Sequence, residues 1–191
     1  MDQTQWGPPM WRFLHAMCTQ YTAQRHKEYE AIMNSLAVIL PCSVCRRNYL
    51  VHILEVPFPC QGVGRKKVQN WLIAKHNAVN RSLGRPSLTQ EAAYKRIATF
   101  SLDRELPLVL AIFKVHAESG RVSSGIGAHV YRRVHGSFLQ ALWVILASGR
   151  RAMGPNTDNW SRGKLRLPLQ AALKMYVKPK HTSVHNKNSN K

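Results

Sequence analysis

At 191 residues the chain has the length of one domain, or of one small domain with an appendage, and it can bury a substantial core. Its 28 Lys and Arg against 9 Asp and Glu give a net charge of +19, a balance that suits nucleic acid, an anionic membrane or an acidic partner. That charge is spread, with 13 basic and 5 acidic residues up to residue 98 and 15 and 4 after it. With no long Lys/Arg run and no recognised DNA-reading motif, it reads as a solvated surface with at most a weak hold on nucleic acid. Four cysteines, none beyond Cys60, exclude a disulfide-stapled secreted scaffold. The opening MDQTQWGPPM has no apolar leader core, and the apolar runs Leu106–Val115 and Leu142–Ala147 are too short to span a bilayer. The expectation is a soluble, cytoplasmic protein.

In chain order, Trp6-Gly7-Pro8-Pro9 reads as an extended lead-in, with Pro9 in the first turn of helix one. Trp11, Leu14, His15 and Cys18 then recur at helical spacing up to about Tyr21. Helix two runs from about Lys27 to Leu40, with Tyr29, Ile32, Met33, Leu36 and Ile39 as its apolar stripe. Pro41 ends it. A third helix starts at Cys42 and carries Tyr49, Leu50 and Ile53 to about Leu54. Val56–Gly64 is a Pro/Gly loop; helix four covers about Lys66–Leu83 and stops at Gly84. A short fifth helix spans Thr89–Ala98. With no strand signal, the fold class is all-α, a four-helix bundle with a short fifth helix.

The stretch LPCSVCRRNY (Leu40–Tyr49) carries the chemistry. Cys42 and Cys45 fall on the first turn of a helix, where free N–H groups and the macrodipole favour a thiolate, and Arg46 and Arg47 add charge beside them. Such a CxxC suits dithiol/disulfide exchange, a zinc knuckle or two core cysteines, and the spacing does not choose among them. On helix four, His76, Asn77 and Asn80 share one face, as either a ligand-binding trio or an ordinary solvated surface. His15 alone reads as a satisfied core histidine.

Three segments in order, WGPPMWRFLH (Trp6–His15), LPCSVC (Leu40–Cys45) and HNAVNRSLGRP (His76–Pro86), resemble the Erv/ALR family of FAD-linked sulfhydryl oxidases. The Tyr-bearing second helix and the scarcity of cysteines are most similar to the small members found in large DNA viruses. The resemblance implies a helical bundle that cradles FAD and pairs as a homodimer. It implies a thiol oxidase that uses O2 as acceptor, makes hydrogen peroxide and forms disulfides in client proteins. Those clients would be virion proteins or a small redox carrier, met in the host cytoplasm or in the virion.

By the same resemblance, Cys42 is attacked by the substrate and Cys45 lies against the isoalloxazine ring. Trp6, Gly7, Met10, Trp11, His15, Tyr49, Trp71, His76, Asn77, Asn80, Arg85 and Tyr94 would contact the cofactor, and no metal is implied. Two family features are missing. The positions of a second, structural disulfide appear as Lys67 and Gln90, and there is no shuttle CxxC, so substrates should meet Cys42 directly. Cys18 reads as a small buried hydrophobe and Cys60 as a free thiol.

The resemblance covers about residues 4–98, within an expected FAD-binding domain of residues 1–98. Beyond it, Glu105–Glu118 and His129–Ala147 read as helices around a Gly/Ser loop, Ser119–Gly127. A loop Gly149–Gly163, a helix Leu165–Tyr176 and a disordered basic tail, residues 178–191, complete the expectation. Residues 99–177 are thus a helical extension that covers the bundle, makes a dimer contact or is a degenerate second bundle. The rival functions are a zinc-binding nucleic-acid module, with Cys42, Cys45, Cys60 and His52 or His76 as ligands, and a catalytically idle helical scaffold.

Overall fold

The computed structural model describes residues 2–118 and 128–152. These form seven α-helices: α1 (Gln3–Cys18), α2 (His26–Ile39), α3 (Ser43–Glu55), α4 (Arg65–Ser82), α5 (Gln90–Ile97), α6 (Leu102–Glu118) and α7 (Ala128–Ala152). A 3-10 turn, Ala23–Arg25, leads into α2. The architecture is all-α, as the sequence indicates.

The lead-in expected at Trp6–Pro9 is instead helical. Asp2 caps α1 by accepting from the Thr4 amide at 3.0 Å, and Pro8 and Pro9 sit inside the helix. Burial of Trp6 and Met10 along that first stretch holds it helical despite the two missing N–H donors. The helix also ends earlier than expected, at Cys18, with Tyr21 buried beyond it. Pro41 closes α2 as foreseen, leaving Leu40 as its cap.

Cys42 is the N-cap of α3, its sulfur accepting from the Cys45 amide at 3.1 Å. Gly84, at φ +65°, ends α4: its own N–H bonds the Arg81 carbonyl and the Arg85 N–H bonds the Asn80 carbonyl. That pairing closes orphan carbonyls and needs the left-handed residue that glycine provides. Thr89 caps α5 through the Ala92 amide.

Residue 98 is not a break in packing. Helix α6 lies against α1, and α7 against α2. Leu102, Leu106, Val109, Phe113, Phe138 and Leu142 belong to the same apolar cluster as Phe13, Met17, Ile32 and Leu36. Helix α7 continues through Gly149 to Ala152, beyond the Ala147 end expected from sequence. The loop Ser119–Gly127, the helix Leu165–Tyr176 and the tail lie outside the described residues.

Candidate functional site

Helices α1, α4 and α5 enclose a cavity of about 460 Å³, with α2 and α3 closing one end. It has the size of a site for an organic cofactor. Among the residues expected to contact FAD, Trp6, Gly7, Met10, Trp11, His15, Tyr49, His76, Asn77, Asn80 and Arg85 line it. So does Cys45, whereas Cys42 does not.

The cysteines form a disulfide at the N-terminus of α3. Both are half-buried. The Gln3 side chain lies 3.5 Å from the Cys45 sulfur. Arg46 differs from expectation: it is buried and donates from Nη1 to the Leu40 carbonyl at 2.8 Å, tying α3 to the end of α2. Arg47 remains exposed.

The wall between α1 and α4 is aromatic. Trp11 and His76 stack with centroids 4.1 Å apart and planes 5° from parallel. His15 Nε2 and His76 Nδ1 share a hydrogen bond of 3.1 Å. Burial pushes the His15 pKa down to about 3, with the neighbouring His76 adding to the effect. Burial, then Arg96, lowers His76 to about 4. Both rings are therefore neutral at pH 7, so one nitrogen donates and the other accepts.

Two expected contacts lie elsewhere. Trp71 turns to the α3 side, donating from Nε1 to the Val56 carbonyl at 3.1 Å and meeting Phe58 edge to face. Tyr94 donates to Asn70 Oδ1 at 2.6 Å instead of closing the cavity. A helical position predicts which face a residue shares, but it does not say which neighbour competes for an aromatic ring. Asn77 does line the cavity, yet its amide pairs with the Leu88 N–H and carbonyl at 3.0 and 2.8 Å. Asn80 likewise donates to the Pro86 carbonyl at 3.4 Å. These two side chains shape the loop between α4 and α5 around the cavity rim.

Sequence reasoning missed Gln3, Arg12, Asn48, Arg96 and Phe100, which also line the cavity. Arg12 sits beside Trp11 inside the first motif, a cation in a mostly apolar helix, and that contrast was a readable signal. Phe100 and Arg96 had none.

The zinc set does not assemble. Cys42 and Cys45 are bonded to each other, and no group of three or more metal-ligating side chains occurs among the described residues. Cys18 is wholly buried, and burial pushes its thiol far above the usual range, so it is inert. Cys60 is exposed.

The sequence model of the Erv1/Alr family matches residues 8–98. The chain is 33% identical over 102 residues to a probable FAD-linked sulfhydryl oxidase of Acanthamoeba polyphaga mimivirus, covering 51% of this chain and 71% of that protein. The chain belongs to the Erv1/Alr family. It is also 31% identical over 107 residues to a putative FAD-linked sulfhydryl oxidase of Frog virus 3, covering 52% of this chain and 69% of the other. A FAD-linked sulfhydryl oxidase of Arabidopsis thaliana is 35% identical over 83 residues, 41% of this chain and 42% of that protein. No solved structure matches.

The cavity fits the cofactor of these relatives. Trp6 Nε1 and His15 Nδ1 are buried polar atoms without a hydrogen-bond partner among the described residues, both on residues that line it. Leaving such atoms unpaired is costly, and a ligand with polar ring atoms would satisfy them. The flat Trp11–His76 wall suits an aromatic ring system, and Arg12, Arg85 and Arg96 suit phosphates.

Proposed function

We propose that this Erv1/Alr-family chain is a FAD-dependent thiol oxidase that makes disulfides in client proteins. One observation carries the reading: the Cys42–Cys45 disulfide sits at a helix N-terminus with Cys45, and not Cys42, on the wall of the cofactor-sized cavity.

The exchange follows from that placement. A client thiolate attacks Cys42 Sγ, the Cys42–Cys45 bond breaks, and Cys45 leaves as a thiolate at the first turn of α3. The free N–H groups and macrodipole of that turn stabilise the leaving charge. A second client thiolate then attacks the client sulfur of the mixed disulfide and releases Cys42. The client is oxidised by two electrons and the pair Cys42/Cys45 is reduced by two. The chemistry that FAD supplies when bound is two-electron exchange between a dithiol and dioxygen, with hydrogen peroxide as product.

The residues assigned to hold FAD are Trp6, Gly7, Met10, Trp11 and His15 from α1, Tyr49 from α3, and His76 and Arg85 from α4 and its exit. Asn77 and Asn80 are assigned to the rim that keeps the α4–α5 loop in place. The neutral His15–His76 pair adds no charge against the ring system, and the apolar wall restricts water there.

Similarity to two viral proteins supports clients assembled in a reducing compartment, such as virion proteins in the host cytoplasm. Among the described residues no helix is long and apolar enough to cross a membrane. Homodimer formation rests on the resemblance, and weak nucleic-acid binding rests on the charge of +19.

The test is stoichiometric. Purified protein given a dithiol under air should consume two thiols for each peroxide formed, with a bound flavin that bleaches and recovers. Protein that neither carries nor takes up FAD and leaves the dithiol untouched contradicts the reading.

A further inference from the structure

We infer that α6, which lies outside the family match, is part of the cofactor site: Glu105 holds Arg12 at the cavity wall as a binding group for the negatively charged part of the ligand. This rests on the assignment of FAD to the cavity and adds a positioning residue from the extension.

Four observations converge. Arg12 lines the cavity, one residue after the stacked Trp11. Its Nε donates to Glu105 Oε2 at 2.9 Å across 93 residues of sequence. The Glu105 side chain is 1% exposed and accepts from Arg104 Nε on its other oxygen at 3.0 Å. Arg104 in turn donates to the Thr99 carbonyl at 3.2 Å, which anchors it to the end of the bundle.

A carboxylate buried this deeply is costly unless it is paired, and here both oxygens are bound by guanidinium groups. The pairing engages only the Nε of Arg12. The Nη groups, the planar fork that binds phosphate in a bidentate manner, make no hydrogen bond among the described residues. The two arginines and Glu105 together keep a net positive charge at the wall, while the salt bridge removes much of the rotamer freedom that Arg12 would lose on binding a ligand. An exposed arginine on a bundle ending at residue 98 would have no such anchor. Glu105 does not touch the ligand; it acts through Arg12.

The experiment uses the full-length holoprotein. Dilution series followed by the fluorescence of released flavin give the FAD dissociation constant for wild type, Arg12→Gln, Glu105→Gln and the double variant, each at low and high NaCl. Arg12→Gln should weaken FAD binding about tenfold and flatten its salt dependence. Glu105→Gln should weaken it about three- to tenfold in the wild-type background, and have little further effect once Arg12 is Gln. A merely structural role for Glu105 would lower the melting temperature and weaken binding equally in both backgrounds, which overturns the inference. Wild-type affinity in Arg12→Gln overturns it as well, while leaving the oxidase intact. A wild-type chain without affinity for FAD removes the oxidase reading and this one together.

Discussion

The indole of Trp11 and the imidazole of His76, 65 positions apart in the sequence, lie face to face with ring centroids 4.1 Å apart. The contact joins α1 to α4 and makes one wall of the cavity. It also places His76 Nδ1 within hydrogen-bond distance of His15, so that a single ring serves both packing and polar pairing.

His76→Ala removes the stack and leaves His15 Nε2 unpaired in a buried site. The expected cost is about 1–3 kcal/mol of stability, together with loss of flavin during purification. His76→Phe restores the stack without the hydrogen bond and should recover part of both. Thermal melting and the ratio of flavin to protein absorbance check this; an unchanged flavin content in His76→Ala would remove His76 from the cofactor site.

Much of this site was legible because its residues sit in short local patterns. The CxxC after Pro41 announced a helix N-terminus, and Cys42 does cap α3. Gly84 announced the end of α4, and its backbone closes that helix. Trp71 and Tyr94 lie off the cavity wall because their partners, Val56, Phe58 and Asn70, are matters of tertiary packing that helical periodicity does not encode. The two prolines in α1 hid a helix whose stability comes from the buried Trp6 and the Asp2 cap. The link between Glu105 and Arg12 spans 93 positions and left no local trace.

The folded chain should lose stability in mild acid. His15 and His76 have pKa values lowered to about 3 and about 4, against an ordinary value near 6.5. The unfolded chain therefore binds more protons below about pH 6.5, so the stabilisation is complete above that pH and declines as the pH falls towards 4. The slope is on the order of 1 kcal/mol per histidine per pH unit. Denaturant melts of holoprotein from pH 7.5 to 5 should show it, and His76→Phe should reduce the slope. A flat profile would mean that the rings take up protons in the folded chain over the same pH range as in the unfolded one.

A chain ending at residue 98 should not fold cooperatively, although the family match stops there. It loses Leu102, Leu106, Val109 and Phe113 from a cluster shared with α1 and α2. Each such side chain contributes about 1.5–3 kcal/mol of burial, which together is comparable to the whole stability of a domain. Near-ultraviolet circular dichroism and a thermal scan test it. A soluble fragment with a sharp transition and bound flavin would show that the bundle stands alone.

Asn77→Ala frees the Leu88 N–H and carbonyl and unpins the α4–α5 loop, at a cost of about 1–3 kcal/mol. Hydrogen exchange should quicken at residues 84–89 with little change in α1. Protection unchanged there would show that the two backbone bonds do not hold the loop.

The division of labour between the sulfurs is tested most directly by anaerobic rapid mixing of flavin-bearing protein with dithiothreitol, following the visible flavin band. Wild type, Cys18→Ser and Cys60→Ser should bleach at similar rates, whereas Cys45→Ser should retain its flavin and stay oxidised. Bleaching of the Cys45→Ser variant at the wild-type rate would contradict transfer through the Cys42–Cys45 disulfide.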